Sequence, residues 1–595
     1  MLYLLRNDRR HLWLSVMIFF CVVLFFSPLI SFEDTNWDDG VHSFTNPLVL
    51  SRLPTAPWDL FFVPDSVNRT YIPLTMLTFN LQVFLGGTSP WISHLLNIAL
   101  HAAVTVIVLR IGLALELSRS AAFFAALFFA VHPLHVEPVA WVTSRKDVLY
   151  GFFFLAALLF YLRFIKTSRG RDYIFSLLCA AFSILAKPMA LSLPLILLLF
   201  DYFYKRQLCL KVWLEKLPFV LVVVPVAMIT YLQNSRVPEL FFPESILVFL
   251  WSAGFYIEKL FFPFELSPLY APPVPVMAHL FYYGKTILLL FSVLWAMVVF
   301  RRARWLVMAV MFYVFCTFYL WRTDGQDITI VGDRFMYIPS VGFCLAFGVV
   351  ISACREHFRN KRALCLSAAL GILLLLSWTS SSQMAVWKNC WTLWRRALQV
   401  SPAHPVALSG RIKCMVDSRG LGGCSADIVK DIRRFYLIAR PGIPDAEIVR
   451  RLDYFIFLIA RSQFRTYPDA IDDPDLLDRM GHLYCLIKAP GRGILFFDEA
   501  VRRFPWYSNA SFNQALALLQ LANYPEAIRS FDRYLVRWPD DPQAYFSRAG
   551  AHYLNGQFKQ AFEDAKKASE LDSANSNYRA GFLYYQQAFR SQGSL

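Results

Sequence analysis

Residues 32–46, FEDTNWDDGVHSFTN, follow directly on the first apolar run of the chain, which is long enough to span a bilayer. Four carboxylates, those of Glu33, Asp34, Asp38 and Asp39, fall in this stretch. Carboxylates at a membrane surface need water, a cation or a reacting group to balance their charge. A solvated cap on a helix would meet this condition as well as a catalytic loop would, so the stretch alone leaves both interpretations open.

The composition divides the chain into a membrane region and a water-exposed region. Of 595 residues, 57% are apolar and 16% aromatic, which is too apolar for an ordinary soluble protein. The apolar blocks end near residue 383, so we predict a multi-pass membrane domain over 1–383 and an extracytoplasmic helical domain over 384–595. The net charge of +16 does not indicate nucleic acid binding, because the basic residues gather in short loops at alternate ends of the apolar segments.

Eleven apolar segments predict spanning helices. They lie near residues 12–32, 91–115, 120–134, 148–165, 173–187, 189–204, 213–232, 279–300, 305–321, 336–354 and 363–383. The first is too long for a signal-peptide core and lacks a small-residue cleavage site, so we expect it to be retained. The basic clusters place the N-terminus in the cytoplasm and the C-terminal domain outside, in a bacterial inner membrane or an endoplasmic reticulum membrane.

Residues 245–262, SILVFLWSAGFYIEKLFF, are apolar enough to form a further span, which would place the two later basic clusters outside. Glu258 and Lys259 interrupt the segment and Pro263 closes it. We therefore expect a re-entrant or interfacial helix, which leaves eleven spans.

A repeat of 34 residues marks the C-terminal region. Ala527 and Ala561 are 34 positions apart, and so are Pro505 and Pro539. This period is typical of tetratricopeptide repeats, which we predict most clearly at 507–540 and 541–574. Such an array can hold a partner protein or serve only as a spacer.

The cysteines carry two further expectations. The absence of a CxxC pair argues against a zinc site. Cys414 and Cys424 could form a disulfide if their domain is extracytoplasmic.

A second polar stretch, HPLHVEPVAWVTSRKD at 132–147, is predicted on the same membrane face as the acidic loop. Its Arg145 offers a guanidinium, which pairs bidentately with phosphate. Glu137 and Asp147 lie beside His132 and His135, and the His/Glu/His grouping of His132, His135 and Glu137 could bind a metal. Solvation of these side chains at the interface is the interpretation that we favour over a metal.

Two further outward turns supply cations and acids. Residues 323–340 place Asp333, Arg334 and Tyr337 at the start of a helix, where Arg334 could instead be an interfacial anchor. Lys187 lies in a very short turn between two apolar helices, where it could also contact phosphate.

The acidic pair is the candidate for proton transfer. Gly40 allows a sharp turn after Asp38 and Asp39, so that one carboxylate can accept a proton from an acceptor hydroxyl while the other orients it or holds a cation. We expect Asp39 to be the base, because it directly precedes Gly40.

Four strings together resemble one known family. They are WDDGVHSFTNPLV, HPLHVEPVAWVTSRKDVLYGFFFL, LAKPMALSLPLILLLFDY and DRFMYIPSVG. They are similar to the membrane core of the transmembrane and tetratricopeptide-repeat-containing O-mannosyltransferases and their prokaryotic relatives, within the GT-C superfamily of polyprenyl-phosphate-sugar-dependent glycosyltransferases. The resemblance spans residues 12–400 in the same order, and the repeat tail fits it.

The resemblance implies an all-α, GT-C-type membrane bundle that transfers a sugar, with inversion, from a polyprenyl-phosphate donor to a hydroxyl of a protein or glycan acceptor on the extracytoplasmic side. By position it implies functional roles for Asp38, Asp39, Glu137, Arg145, Asp147 and the triplet Asp333-Arg334-Phe335. The family has tyrosine where this chain has Phe335, which leaves the role of that ring open. Whether a divalent cation such as Mg²⁺ or Mn²⁺ binds to Asp38 and Glu137 is left open.

Two other functions compete with this one. An oligosaccharyltransferase or a lipid-modifying sugar transferase of the same superfamily would share the architecture. A non-catalytic scaffold that recruits envelope proteins through the repeats is the alternative from another class, and it gives no reason for the acidic pair.

Overall fold

A computed structural model shows an all-α protein, as predicted: helices are the regular elements of the described residues. These residues are 9–35, 37, 39, 47–50, 71–234, 244–270, 280–299, 303–320, 331–358, 360, 362–402, 404, 406–408, 410–411, 414, 474, 477–478, 481, 485, 490–573 and 575–592. The chain divides into two compact units, Met1–Gly410 and Arg411–Leu595.

The first unit contains a helix at each of the eleven predicted segments and at the doubtful one. The helices are α1 (Arg9–Phe26), α2 (Pro73–Gly86), α3 (Pro90–Ala114), α4 (Arg119–Val131), α5 (Arg145–Thr167), α6 (Gly170–Ala186), α7 (Leu193–Phe203), α8 (Leu217–Asn234), α9 (Glu244–Phe261), α10 (Leu280–Val299), α11 (Arg304–Thr317), α12 (Ser340–His357), α13 (Arg362–Met384) and α14 (Cys390–Val400). Proline at the first turn begins α2, α3 and α7, where its missing N–H costs nothing.

Five helical segments of the described chain are long and apolar enough to cross a membrane. They are His11–Ser31, Pro90–Ala114, Val142–Thr167, Leu210–Thr230 and Arg362–Trp387. A sixth arises if Arg119–Val131 and Pro133–Ala140, which meet at a bend of 55°, form one broken span. A polytopic membrane bundle is therefore confirmed, while the number of eleven spans and the place of 245–262 stay predictions.

The helices of the first unit pack closely around α3, α5 and α12. A side chain at Gly348 of α12 would overlap the backbone of Ala121 in α4, so glycine is needed for this approach. At the far end of the bundle from Lys187, Asp201 is fully buried. Lys216 contacts its Oδ2 at 2.6 Å and Arg206 donates to its Oδ1 at 2.7 Å, which compensates the buried charge.

The two compact units divide between Gly410 and Arg411, while the predicted boundary between membrane and extracytoplasmic residues at 383/384 stays a prediction. Helix α14, at Cys390–Val400, lies in the first unit, and its Leu393 and Trp394 are buried there. Cys390 and Cys414 are both disulfide-bonded. Cys424 lies outside the described residues, so the Cys414–Cys424 pairing stays untested.

The second unit is a stack of helices in which each packs on the next. Its helices are α15 (Pro490–Arg503), α16 (Asn509–Gln520), α17 (Tyr524–Arg537), α18 (Pro542–Leu554), α19 (Phe558–Leu571) and α20 (Ser576–Gln592). The pairs α16–α17 and α18–α19 coincide with the two predicted repeats. Ala527 and Ala561, at equivalent positions, are fully buried, as close helix contacts require.

The eleven-span topology can be tested by cysteine labelling. In a background without reactive cysteines, Ala303→Cys and Asn360→Cys should stay unmodified by an impermeant maleimide confined to the extracytoplasmic side. Both positions lie in loops that the basic residues place in the cytoplasm. Glu33→Cys, in the acidic loop, is the control that should react. Modification of either loop cysteine would overturn the topology.

Close packing of the repeats predicts that Ala527→Leu weakens the second unit. Inserting a larger side chain into a packed core costs about 1–3 kcal/mol, so hydrogen exchange across α16 and α17 should be faster in the purified full chain. Lys566→Leu is the matched control, because Lys566 is 57% exposed and its replacement fills no core. Equal exchange in both variants would contradict the packing.

Candidate active site

The second polar stretch folds into three short helical turns instead of a solvated loop. These are Pro133–His135, Val136–Ala140 and Val142–Ser144, after which α5 begins at Arg145. Residues 132–145 are all buried. The expectation of interfacial solvation was therefore wrong: the bend after α4 folds this stretch into the bundle, so its charged side chains need partners inside the protein.

Glu137 and Arg334 form one of these pairs. Arg334 Nη1 lies 2.6 Å from Glu137 Oε1, and the Arg334 backbone N–H donates to Glu137 Oε2 at 3.1 Å. The carboxylate is 1% exposed and the arginine 9%, so the pair is shielded from water. It joins the late loop to the second polar stretch, two segments that the sequence places 197 residues apart.

Lys187 and Asp147 form the second pair. The Lys187 ammonium donates to Asp147 Oδ1 from the turn between α6 and the helical turn Pro188–Ser192. Asp147 lies in the first turn of α5, where the helix dipole favours a negative charge.

The ring of Phe335 brings these two ion pairs together. The Arg334 guanidinium lies 4.7 Å from the ring centroid and the Lys187 ammonium 5.2 Å from it. Aromatic faces attract cations, so Phe335 contributes to holding both. The sequence left this ring without a role, and its only signal was its position beside Arg334.

Asp39 is a tightly held carboxylate. Its Oδ2 accepts from the Thr35 N–H at 2.9 Å and the Thr35 hydroxyl at 2.7 Å. Its Oδ1 accepts from the Thr143 N–H at 3.1 Å and the Thr143 hydroxyl at 2.7 Å. Asp39 is fully buried and joins the acidic loop to the turn before Arg145. Asp38 lies outside the described residues.

Arg145, predicted as a phosphate ligand, is held by neutral groups. It donates to Gln82 Oε1 and to the Thr78 carbonyl at 3.3 Å, and its guanidinium lies 4.0 Å from the Phe79 ring centroid. Arg145 is 1% exposed and forms no ion pair in the described part of the chain. The structure therefore does not join it to the cluster around Phe335.

The other predicted supporting residues connect the loops. Tyr270 donates to Asp333 Oδ1 at 2.8 Å, and burial, with the Glu137 charge next, raises the pKa of Asp333 well above its usual range. The Tyr337 hydroxyl oxygen and His101 Nδ1 are 2.9 Å apart, within hydrogen-bond distance. His135 bonds the Phe129 carbonyl through Nδ1 at 2.6 Å and the Ser340 hydroxyl through Nε2 at 2.9 Å, so both ring nitrogens are used structurally.

Four tryptophans form a cluster beside this site that sequence reasoning missed. Trp37 stacks on Trp141 with ring centroids 4.5 Å apart. The Trp37 ring centroid lies 6.5 Å from that of Trp387 and 5.6 Å from that of Trp394. The Arg334 guanidinium carbon lies 5.4 Å from the Trp141 ring centroid. Trp37 belongs to the acidic loop, so the cluster fixes that loop beside Arg334. In the sequence, the signal for this cluster was the position of these tryptophans in or next to polar stretches.

Two residues were proposed for a divalent cation, Asp38 and Glu137. Glu137 uses both oxygens for Arg334, and Asp38 lies outside the described residues. Within the described ranges, no group of three or more His, Cys, Asp or Glu side chains could hold an ion. The role of Asp38 in metal binding stays a prediction.

Comparison with known proteins supports the predicted resemblance. The chain is 35% identical over 193 residues to Protein O-mannosyl-transferase TMTC2 of Mus musculus, covering 30% of this chain and 23% of that protein. It is 27% identical over 399 residues to Protein O-mannosyl-transferase F38B6.6 of Caenorhabditis elegans, covering 62% of this chain and 55% of that protein. The chain resembles O-mannosyltransferases. The matches cover less than two thirds of either relative.

The repeat domain is recognised separately. A tetratricopeptide repeat model matches residues 512–576, which contain α17, α18 and α19. The structure of MamA 41-end from Desulfovibrio magneticus RS-1 aligns with 20% identity over 29% of this chain and 89% of that one, at a TM-score of 0.22, too low to carry an argument.

The four hydrogen bonds of Asp39 predict a structural effect of its substitution. Asp39→Asn turns an NH₂ group toward one pair of donors, and an unsatisfied buried group costs about 1–3 kcal/mol. We expect a lower melting temperature of the purified chain and faster proteolysis in residues 33–39. The control is Glu33→Gln, an exposed carboxylate in the same loop. An unchanged melting temperature with lost turnover would instead indicate a catalytic base.

Proposed function

We propose that the chain is a GT-C-type membrane glycosyltransferase that transfers mannose from a polyprenyl-phosphate donor to a hydroxyl of a protein acceptor, with inversion. The observation that carries this proposal is the convergence of Arg334 and Lys187 on Phe335 in an apolar bundle. Two buried cations beside an acidic loop suit a reaction in which a lipid phosphate departs. The names of the relatives, which are protein O-mannosyl-transferases, suggest mannose as the sugar and a protein as the acceptor.

The reaction needs a base opposite the leaving group. The carboxylate accepts the proton of the acceptor hydroxyl, the hydroxyl oxygen bonds to the anomeric carbon, and the bond from that carbon to the phosphate oxygen breaks. The electron pair leaves with the lipid phosphate, whose charge Arg334 and Lys187 stabilise. Because the oxygens of Asp39 are occupied by four donors, we assign the base to Asp38 and the holding of the loop to Asp39.

The cysteines and the loops support an extracytoplasmic side for the proposed reaction. Disulfides persist in oxidising compartments, so the bonded Cys390 supports an extracytoplasmic position for the start of α14. Trp394 of the same helix contacts Trp37 of the acidic loop at 5.6 Å. The acidic loop is therefore assigned to the periplasmic or lumenal side.

The second unit offers a surface for the acceptor. A cavity of about 700 Å³ is lined by apolar and charged side chains, among them Ile494, Leu518, Glu526, Arg529 and Arg533. A groove of this mixed character suits a peptide segment, and tetratricopeptide arrays present such surfaces. We assign acceptor binding to it.

Removing the base should strongly lower turnover without abolishing donor binding. In purified chain in nanodiscs, with radiolabelled polyprenyl-phosphate mannose and extracytoplasmic proteins from cells lacking the chain, Asp38→Asn should lower kcat about 10²–10⁴-fold. Glu33→Gln in the same loop is the control and should retain turnover. Near-normal turnover of folded Asp38→Asn would remove Asp38 from this role, and no transfer by the unaltered chain would refute the function.

A further inference from the structure

One oxygen of Asp147 stands out among the buried carboxylates. Asp147 is fully buried; Oδ1 accepts from Lys187, but Oδ2 has no hydrogen-bond partner in the described part of the chain. Three other buried carboxylates of this unit, those of Asp39, Glu137 and Asp201, have partners on both oxygens. Asp39 receives two donors on each oxygen, and both oxygens of Asp201 are bonded.

A buried acceptor without a donor is unfavourable. Leaving such a group unsatisfied destabilises a fold by about 1–3 kcal/mol, and more when the group is charged, so native structures keep few of them. A site that meets a ligand is one place where they persist, because the ligand supplies the missing donor. Lys187 already neutralises the carboxylate, so a neutral donor such as a hydroxyl fits Oδ2 better than a second cation.

The surroundings of Asp147 indicate which hydroxyl this is. Its partner Lys187 lies 5.2 Å from the Phe335 ring, whose other cation is Arg334, 4.7 Å away. These are the two cations assigned to the donor phosphate under the proposed function. In a sugar phosphate, the hydroxyls nearest to the phosphate belong to the sugar ring that carries it. Because Asp147 Oδ1 binds one of these cations, Oδ2 of the same carboxylate lies within the region of those hydroxyls.

We propose that Asp147 Oδ2 accepts a hydrogen bond from a hydroxyl of the donor sugar, with Lys187 holding the carboxylate in place. Asp147 is then a specificity residue that distinguishes sugars by the presence and orientation of that hydroxyl. This inference rests on the proposed function, which it deepens by naming a contact to the sugar. A site built to bond a hydroxyl rejects a sugar that lacks it, because its own polar group is then left unpaired.

The test compares polyprenyl-phosphate mannose with its 2-, 3-, 4- and 6-deoxy analogues, using the purified full chain and its Asp147→Asn variant. Asparagine keeps an oxygen for Lys187 and places an NH₂ group at the Oδ2 position. For the unaltered chain, one analogue should lose about 10- to 100-fold in kcat/KM, the range of a hydrogen bond to a charged group. For Asp147→Asn, the parent donor should be slowed and that analogue should suffer no further loss.

Asp201→Asn is the matched control. Asp201 is likewise a buried carboxylate beside a lysine, Lys216, but both of its oxygens have partners. This variant should keep the full discrimination between the parent donor and the deoxy analogue, whatever its effect on stability. Retained discrimination in Asp147→Asn would overturn the proposal.

Two outcomes are kept apart by measurements on the unaltered chain. If it transfers mannose but treats all four deoxy analogues like the parent donor, the contact to Asp147 is refuted while the proposed function stands. If it transfers nothing, the proposed function itself fails. Should Asp147→Asn not fold, the rise in melting temperature of the unaltered chain on adding each donor decides: if all four deoxy analogues gave the same shift as the parent donor, the contact would be refuted.

Discussion

The need to pair buried charges governs how the loops of the membrane unit are arranged. Glu137 and Asp147 are carried into the apolar interior by the bend after α4, and an isolated carboxylate there would be very unfavourable. Arg334 and Lys187 compensate them, and these cations come from two other segments of the chain. The late loop and the turn after α6 are thereby fixed against the second polar stretch. Removing one partner would leave the other buried and uncompensated.

A second constraint fixes the acidic loop to this assembly. Asp39 joins Thr35 to Thr143, and the Trp37 ring stacks on Trp141, so polar and aromatic contacts reach the same turn. Because that turn precedes Arg145 and Asp147 directly, the loop is held beside the charged cluster and not merely at the membrane surface. For this reason the proposed function assigns Asp39 to holding the loop, because a base needs an oxygen that the substrate hydroxyl can reach.

The helices could be predicted from sequence, whereas the partners of the charged side chains could not. Apolar length and proline positions are local signals, and they placed α3 and α13 within a few residues. The pairing of Glu137 with Arg334 joins positions 197 apart, and no local pattern specifies it. The family resemblance indicated Arg145 as a functional residue, but Gln82 and Phe79 enclose it in a separate environment. The stretch at 132–147 was misjudged as solvated because its polarity was taken for exposure.

Under the proposed function, the charge balance of the cluster would favour the transition state over the bound donor. In the donor, the phosphate bridges lipid and sugar and carries one negative charge, whereas the departing lipid monophosphate approaches two near neutral pH. Glu137 and Asp147 already engage Arg334 and Lys187, so an incoming phosphate must compete with them for these cations. Burial, with the Glu137 charge next, raises the pKa of Asp333 beside this cluster. Cations that are already partly compensated attract the singly charged donor only modestly, and their attraction for the phosphate grows as its second negative charge develops. Binding energy that is larger in the transition state than in the bound donor is what accelerates a reaction.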